Sequence, residues 1–90
     1  MEFEWDEAKR GRVIEARELD FVDSVALFDG RPVHTVPSPR HGEERWVSVG
    51  EIDGRFVAVV WTRRDDKIRI VTMRRARDEE KRRYQALYGA

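Results

Sequence analysis

The residues of this chain whose types and spacing suggest chemistry are arginines and a few proton-bearing neighbours. From Lys67 to Tyr88 the sequence runs K-I-R-I-V-T-M-R-R-A-R-D-E-E-K-R-R-Y-Q-A-L-Y, with Arg69, Arg74, Arg75 and Arg77 at the edges of its two elements. A guanidinium stays charged at any physiological pH and matches phosphate oxygens bidentately, so such a stretch suits a polyanion. Arg45, Arg69 and Arg74 are the candidates to hold a phosphate. Lys9, Arg63, Arg64 and His41 are candidates to contact the remainder of a substrate. Glu44, Glu80, Tyr84 and, again, His41 can move protons. Together these groups fit metal-free RNA cleavage, in which the 2′-hydroxyl attacks the adjacent phosphorus and the 5′-oxygen leaves. That reaction needs a base, an acid, and cations over the phosphorane-like transition state.

Each candidate also has a plainer reading. The arginines of 67–88 can form a solvated charged face. Tyr84, four residues after Glu80, fits a half-buried helix position, and His41 beside Pro39 and Arg40 fits an exposed loop. Glu44 with Arg45, Arg55 or Arg69 fits cross-strand ion pairing. Strict alternation also sets Arg69 and Arg74, five apart, on opposite faces of a strand. Both can serve one pocket only if a bulge intervenes or the strand ends before Arg74.

Other chemistries lack support in the sequence. Two histidines without H-x-x-x-H or clustered carboxylate spacing do not make a metal site, and no cysteine is present to supply a thiolate. G-x-S-x-G, a glycine-rich phosphate loop and paired cysteines are all missing. No metal or cofactor is therefore expected. The absence of a charged-then-apolar leader and of an apolar run near 18 residues makes a soluble, cytosolic protein the expectation.

The elements that must position these residues can be placed in order. Met1–Trp5 alternates, Phe3 and Trp5 opposing Glu2 and Glu4, and predicts a short strand. Asp6 is an N-cap with Glu7 in the first turn of a helix to about Arg17. Ala8, Gly11 and Ile14 lie along one side of it, and Lys9, Arg10, Arg12 and Arg17 take most of the rest. Asp20 caps a second helix, Phe21–Asp29, in which Phe21, Val25 and Phe28 follow i, i+4, i+7, and Gly30 ends it. Pro32–Val36 is a short strand and 37–42 a loop. Strands follow over Arg45–Ile52, Phe56–Trp61 and Lys67–Arg75, joined by a hairpin at Asp53-Gly54 and a turn at Arg64–Asp66. Phe56–Trp61 is apolar on both faces and should be the central, most buried strand. In Lys67–Met73, Ile68, Ile70 and Thr72 share one face and Arg69, Val71 and Met73 the other. A final helix aligns Ala76, Glu80, Tyr84 and Leu87. The predicted class is α+β: β-α-α, an antiparallel meander of three or four strands, then α. Helices are expected on one sheet face, leaving the other partly open for a nucleic acid.

Ninety residues make one domain with a single modest core. Formal net charge is zero but uneven: residues 1–54 hold 7 Lys/Arg against 13 Asp/Glu, and residues 55–90 hold 11 against 5. The basic second half suggests an anionic ligand. Of the 18 basic residues 15 are arginine, which favours phosphate or carboxylate recognition.

Over nearly its whole length the chain resembles the BrnT toxins of bacterial type II toxin–antitoxin systems. The resemblance rests on F-E-W-D-E-A-K at Phe3–Lys9, D-F at Asp20–Phe21 with V-A-L-F-D at Val25–Asp29, and P-R-H-G-E-E-R-W at Pro39–Trp46. Its most specific part is I-R-I-V-T-M-R-R-A, followed by Glu80 and Tyr84. It implies a RelE-like fold, an endoribonuclease that arrests translation, and neutralisation by a ribbon-helix-helix antitoxin like BrnA, through which operator DNA would be contacted indirectly. In one place the chain departs from the family. Where members commonly carry N-x-x-K-H-G, it has Val13-Ile-Glu-Ala-Arg-Glu18, so Ala16 and Arg17 stand for the Lys–His pair and Glu18 for the glycine. Arg17 keeps a cation there but cannot shuttle a proton. Cleavage should suffer more from this than antitoxin binding. The rival expectation is a non-enzymatic module that binds the antitoxin or RNA, and a plain structural domain with a charged exterior is a third.

Overall fold

In the computed structural model, which describes residues 1–89, three helices and a helical turn pack around a five-stranded sheet. Strand β1 (Glu2–Glu4) leads to helix α1 (Glu7–Arg17), then a single turn α2 (Phe21–Ser24) that tightens into 3₁₀ geometry over Val25–Phe28. Strands β2 (His34–Pro37), β3 (Trp46–Ile52), β4 (Arg55–Arg64) and β5 (Lys67–Arg75) follow, then helix α3 (Asp78–Tyr88). The order across the sheet is β1-β5-β4-β3-β2. The expected meander is present as four antiparallel strands with β4 at the centre, and β1 adds a parallel edge beside β5.

Local chemistry sets the connections. Asp6 accepts from the backbone N–H groups of Ala8 and Lys9, and Asp20 from that of Val22, so both expected caps are in place. At Asp53-Gly54 both residues have positive φ, 51° and 79°, as the tightest hairpins require. The turn Arg40–Glu43 repeats that arrangement, with His41 at 50° and Gly42 at 76° and reciprocal backbone bonds between Arg40 and Glu43.

The second helix differs from the expectation of one α-helix to Asp29. Its buried residues are Phe21, Ser24 and Leu27, spaced by three, and Val25 and Phe28 are half-buried. A period of three is that of a 3₁₀ helix, and it drives Leu27 down onto Gly50 of β3. The apolar side expected of α1 is also displaced. Ala8, Gly11 and Ile14 are exposed, and Val13 is the buried residue of this helix. Polar groups complete its attachment. Arg10 donates Nε and Nη2 to the two Asp20 oxygens at 2.7 and 3.1 Å, and Arg17 Nη1 donates to the Met73 carbonyl at 2.8 Å.

Two clusters fill the faces of the sheet. Phe21, Leu27, Val57, Val59, Trp61, Ile68, Ile70 and Met73 form the larger, beneath α1 and the helical turn. Val47, Val49 and Ala58 form the smaller on the opposite face, where Tyr84 of α3 packs against them. The helices therefore do not collect on one face. A central strand apolar on both sides needs cover on both, and α3 supplies the second. Of its expected stripe, Ala76, Glu80 and Tyr84 are half-buried, whereas Leu87 is 59% exposed beyond the edge of the sheet.

Candidate functional site: a basic groove beside a β-bulge

The register of β5 changes midway. Trp61 pairs with Ile70 but Val60 pairs with Thr72, leaving Val71 as the extra residue of a bulge. Before it Ile68 and Ile70 point into the larger core; after it Met73 does, and Thr72 moves to the other face. Thr62 pairs with Arg69 and Ala58 with Arg74, so both arginines project from the face opposite the larger core. Strict alternation would have separated them. The bulge lies where β1 has ended and the edge of β5 has no strand neighbour, a common place for such irregularities. Arg17 of α1 covers the Met73 carbonyl there.

On that face two adjoining concavities, of about 170 and 330 Å³, share Lys9, Arg45 and Val71 and form one groove. Arg64 and Arg69 line one end, and Arg40, Arg74 and Arg77 the other. Seven lining side chains are cationic and only Asp6 and Glu43 are acidic, so the groove is positive despite the neutral chain. Lys9, Arg40 and Arg45 come from the acidic half of the sequence, so folding concentrates charge that the halves alone do not predict.

Each central arginine is held by a carboxylate from a different element. Arg69 Nη1 donates to Glu4 of β1 at 2.6 Å. Arg74 donates Nη1 and Nη2 to the two Glu80 oxygens at 2.7 and 3.0 Å, and Glu80 also accepts from the Arg77 backbone N–H at 2.8 Å, which ties the start of α3 to the end of β5. Arg74 holds the Glu80 carboxyl below its ordinary range, so Glu80 is a carboxylate at neutral pH. Arg45 Nη2 reaches Glu43 at 3.4 Å, and its buried Nε has no hydrogen-bond partner among the described residues. Buried Thr62 fixes the backbone before Arg45 by donating to the Glu44 carbonyl at 2.6 Å. Among the described residues the Nε–H of Arg69 and Arg74 also makes no hydrogen bond. All three guanidiniums are thus anchored and keep donors for an anion.

The other candidates are distributed differently. Lys9 and Arg64 line the groove. Arg63 pairs with Ile68 and falls on the larger-core side of β4, away from the groove. Glu44 is exposed and does not line the groove; it borders a small apolar dimple with Pro37, Pro39 and Trp46 that meets the groove at Arg45. His41 is exposed at the tip of the Arg40–Glu43 turn, both ends of which line the groove. The Tyr84 ring packs against Phe56 and Tyr88, with centroids 5.5 and 5.2 Å apart. Sequence reasoning did not nominate Arg40, Glu43 or Glu4, and named Arg77 only as part of the basic stretch. The alternation of Glu4 with Phe3 and Trp5 was a usable signal, whereas a turn that carries Arg40 and Glu43 inward has no periodicity to betray it.

A further concavity of about 260 Å³ on the larger-core face is lined by Glu18, Asp23 and Asp53 with Arg55, and its charge would repel phosphate. Among the described residues no group of three His, Asp or Glu is placed to hold a metal ion, and no helix is long and apolar enough to cross a membrane.

The model of the ribonuclease toxin BrnT, of type II toxin–antitoxin systems, matches residues 5–80, a span from Trp5 through Glu80. No curated protein matches the chain.

Proposed function

The chain belongs to the BrnT family of type II toxin–antitoxin ribonuclease toxins, and from that premise we propose that it cuts RNA in the basic groove without a metal ion. Arg45, Arg69 and Arg74 bind the phosphate and stabilise its developing charge, and Lys9 and Arg64 hold the flanking strand. The observation that carries this reading is that two arginines of β5 and Arg45, just before β3, share one groove, each anchored by a carboxylate with donors left over. Donors fixed before the reaction stabilise a transition state without reorganising.

For proton transfer we assign the Arg40–Glu43 turn. Of the two acids lining the groove, Asp6 is committed to capping α1, which leaves Glu43 beside Arg45 to take the 2′-hydroxyl proton. His41 at the tip of that turn returns a proton to the leaving 5′-oxygen of a strand lying over the groove. Glu80 and Tyr84 act through position, the first holding Arg74 and the second packing α3 onto the sheet. In the cytoplasm, cleavage of this kind would arrest translation until a ribbon-helix-helix antitoxin bound, with operator DNA contacted only through that partner.

One observation favours a second reading, a binding module without catalysis. Glu80 and Tyr84 are committed to structural contacts, and Arg17 is engaged at the β5 edge, so proton transfer rests on one exposed turn. A single experiment separates the two. Purified protein is incubated with single-stranded RNA in EDTA, and the same chain is induced alone in a bacterium. The enzyme reading expects EDTA-resistant cleavage with 2′,3′-cyclic phosphate ends and slowed growth. Tight RNA or antitoxin binding with intact RNA and normal growth would establish the module instead.

A further inference from the structure

Resting on the reading of the groove as an RNA site, we propose that Glu4 is a positioning residue that aims the Arg69 guanidinium at the bound phosphate. Strand β1 is three residues long and pairs with β5 only over Lys67–Arg69. Phe3 turns into the larger core, its ring 5.3 Å from that of Phe28, and by alternation Glu4 turns to the groove face beside its ladder partner Arg69. The contact is short, 2.6 Å from Arg69 Nη1 to Glu4 Oε2, and both side chains are about 30% exposed. Only Nη1 is consumed, so the Nε–Nη2 edge, the one that meets a phosphate bidentately, stays available at the groove.

Stability does not account for this arrangement. A partly exposed ion pair contributes little to folding, and the β1 backbone is already held by its ladder and by Phe3. An acidic group beside an anion site also weakens attraction for the anion. A carboxylate that opposes binding yet fixes a long, flexible cation gains its place through geometry. Arginine has large rotamer freedom, and ordering one such side chain in advance accounts for roughly three- to tenfold in rate.

The full chain supports the test. Glu4→Ala should lower kcat for RNA cleavage by that factor while KM is unchanged or falls, because a negative charge beside the groove has been removed. Glu4→Gln should restore most of kcat, since its amide oxygen still accepts from Arg69. In an Arg69→Ala background Glu4→Ala should have no further effect on kcat, the mark of a residue acting through another. Side-chain NMR of ¹⁵N-labelled protein should show Arg69 restrained in wild type and released in Glu4→Ala, independently of catalysis. An equally restrained Arg69 in both proteins overturns the positioning role, as does a kcat loss that persists undiminished without Arg69. So does a released Arg69 with unchanged cleavage and unchanged binding of 2′-O-methyl RNA, which leaves the RNA reading intact. A wild type that neither binds nor cuts RNA overturns that reading and the positioning role with it.

Discussion

Replacing Arg74 with alanine separates a catalytic arginine from a structural one, because Arg74 lines the groove proposed to bind RNA and also pairs with Glu80. Its two bonds to Glu80, 2.7 and 3.0 Å, are charge-assisted and join side chains only about a fifth exposed. Removing them leaves Glu80 with the Arg77 N–H as its remaining partner. After discounting for partial exposure, the loss in stability should be ~1–2 kcal/mol at pH 7. At ~4–8 °C per kcal/mol in a domain of this size, Tm should fall by roughly 5–15 °C. A domain stable by ~5 kcal/mol or more stays about 99% folded after such a loss, so unfolding cannot hide the effect on activity. Cleavage should drop by ~10²–10³, the usual cost of one preorganised donor to a developing oxyanion. Arg74→Lys should recover little, since an ammonium lacks the fork geometry. The pair also has a pH signature. Arg74 depresses the Glu80 pKa in the folded state, so its stabilisation is present above the ordinary glutamate value and lost as pH falls through the depressed one. The Tm gap between wild type and Arg74→Ala should therefore narrow as pH falls below the ordinary glutamate range and close only below the depressed value. RNA cleavage by purified variants, with thermal melts across pH, measures all of this. Wild-type cleavage by Arg74→Ala would remove Arg74 from the site, and failure to fold would make it a structural residue.

Two further changes test the scaffold. Glu18 ends α1 in the left-handed region, φ 58° and ψ 34°, where a side chain costs about 1 kcal/mol that glycine avoids; Glu18→Gly should raise stability by about that amount in denaturant melts, and a decrease would mean its side chain makes a compensating contact. At Gly50 an added Cβ would lie 2.7 Å from Leu27 Cδ2 and 3.2 Å from Val33 Cγ1, so Gly50→Ala should cost roughly 1–3 kcal/mol by lifting the 3₁₀ turn off the sheet, and a neutral result would show that Leu27 can yield.

Much of this protein follows from local sequence. Asp6 and Asp20 start helices because their short carboxylates meet free backbone N–H groups, and Asp53-Gly54 turns because its positive φ values suit those residues. The apolar run Phe56–Trp61 marks β4 as central, although the second face, covered by α3, was expected to stay partly open. These are effects of neighbours within a few residues. Tertiary structure alone decided the groove. Nothing in I-R-I-V-T-M-R-R announces that Val71 is the extra residue; the larger core selects it by accepting Ile68, Ile70 and then Met73. That choice turns Arg74 onto the face of Arg69. Likewise Glu4 and Arg69 are 65 positions apart and meet only because β1 pairs in parallel with β5, while Lys9 enters the groove because α1 packs against that strand. Alternation and capping act over single residues, but the face a strand presents after a bulge is set by which side chains the opposing core can bury.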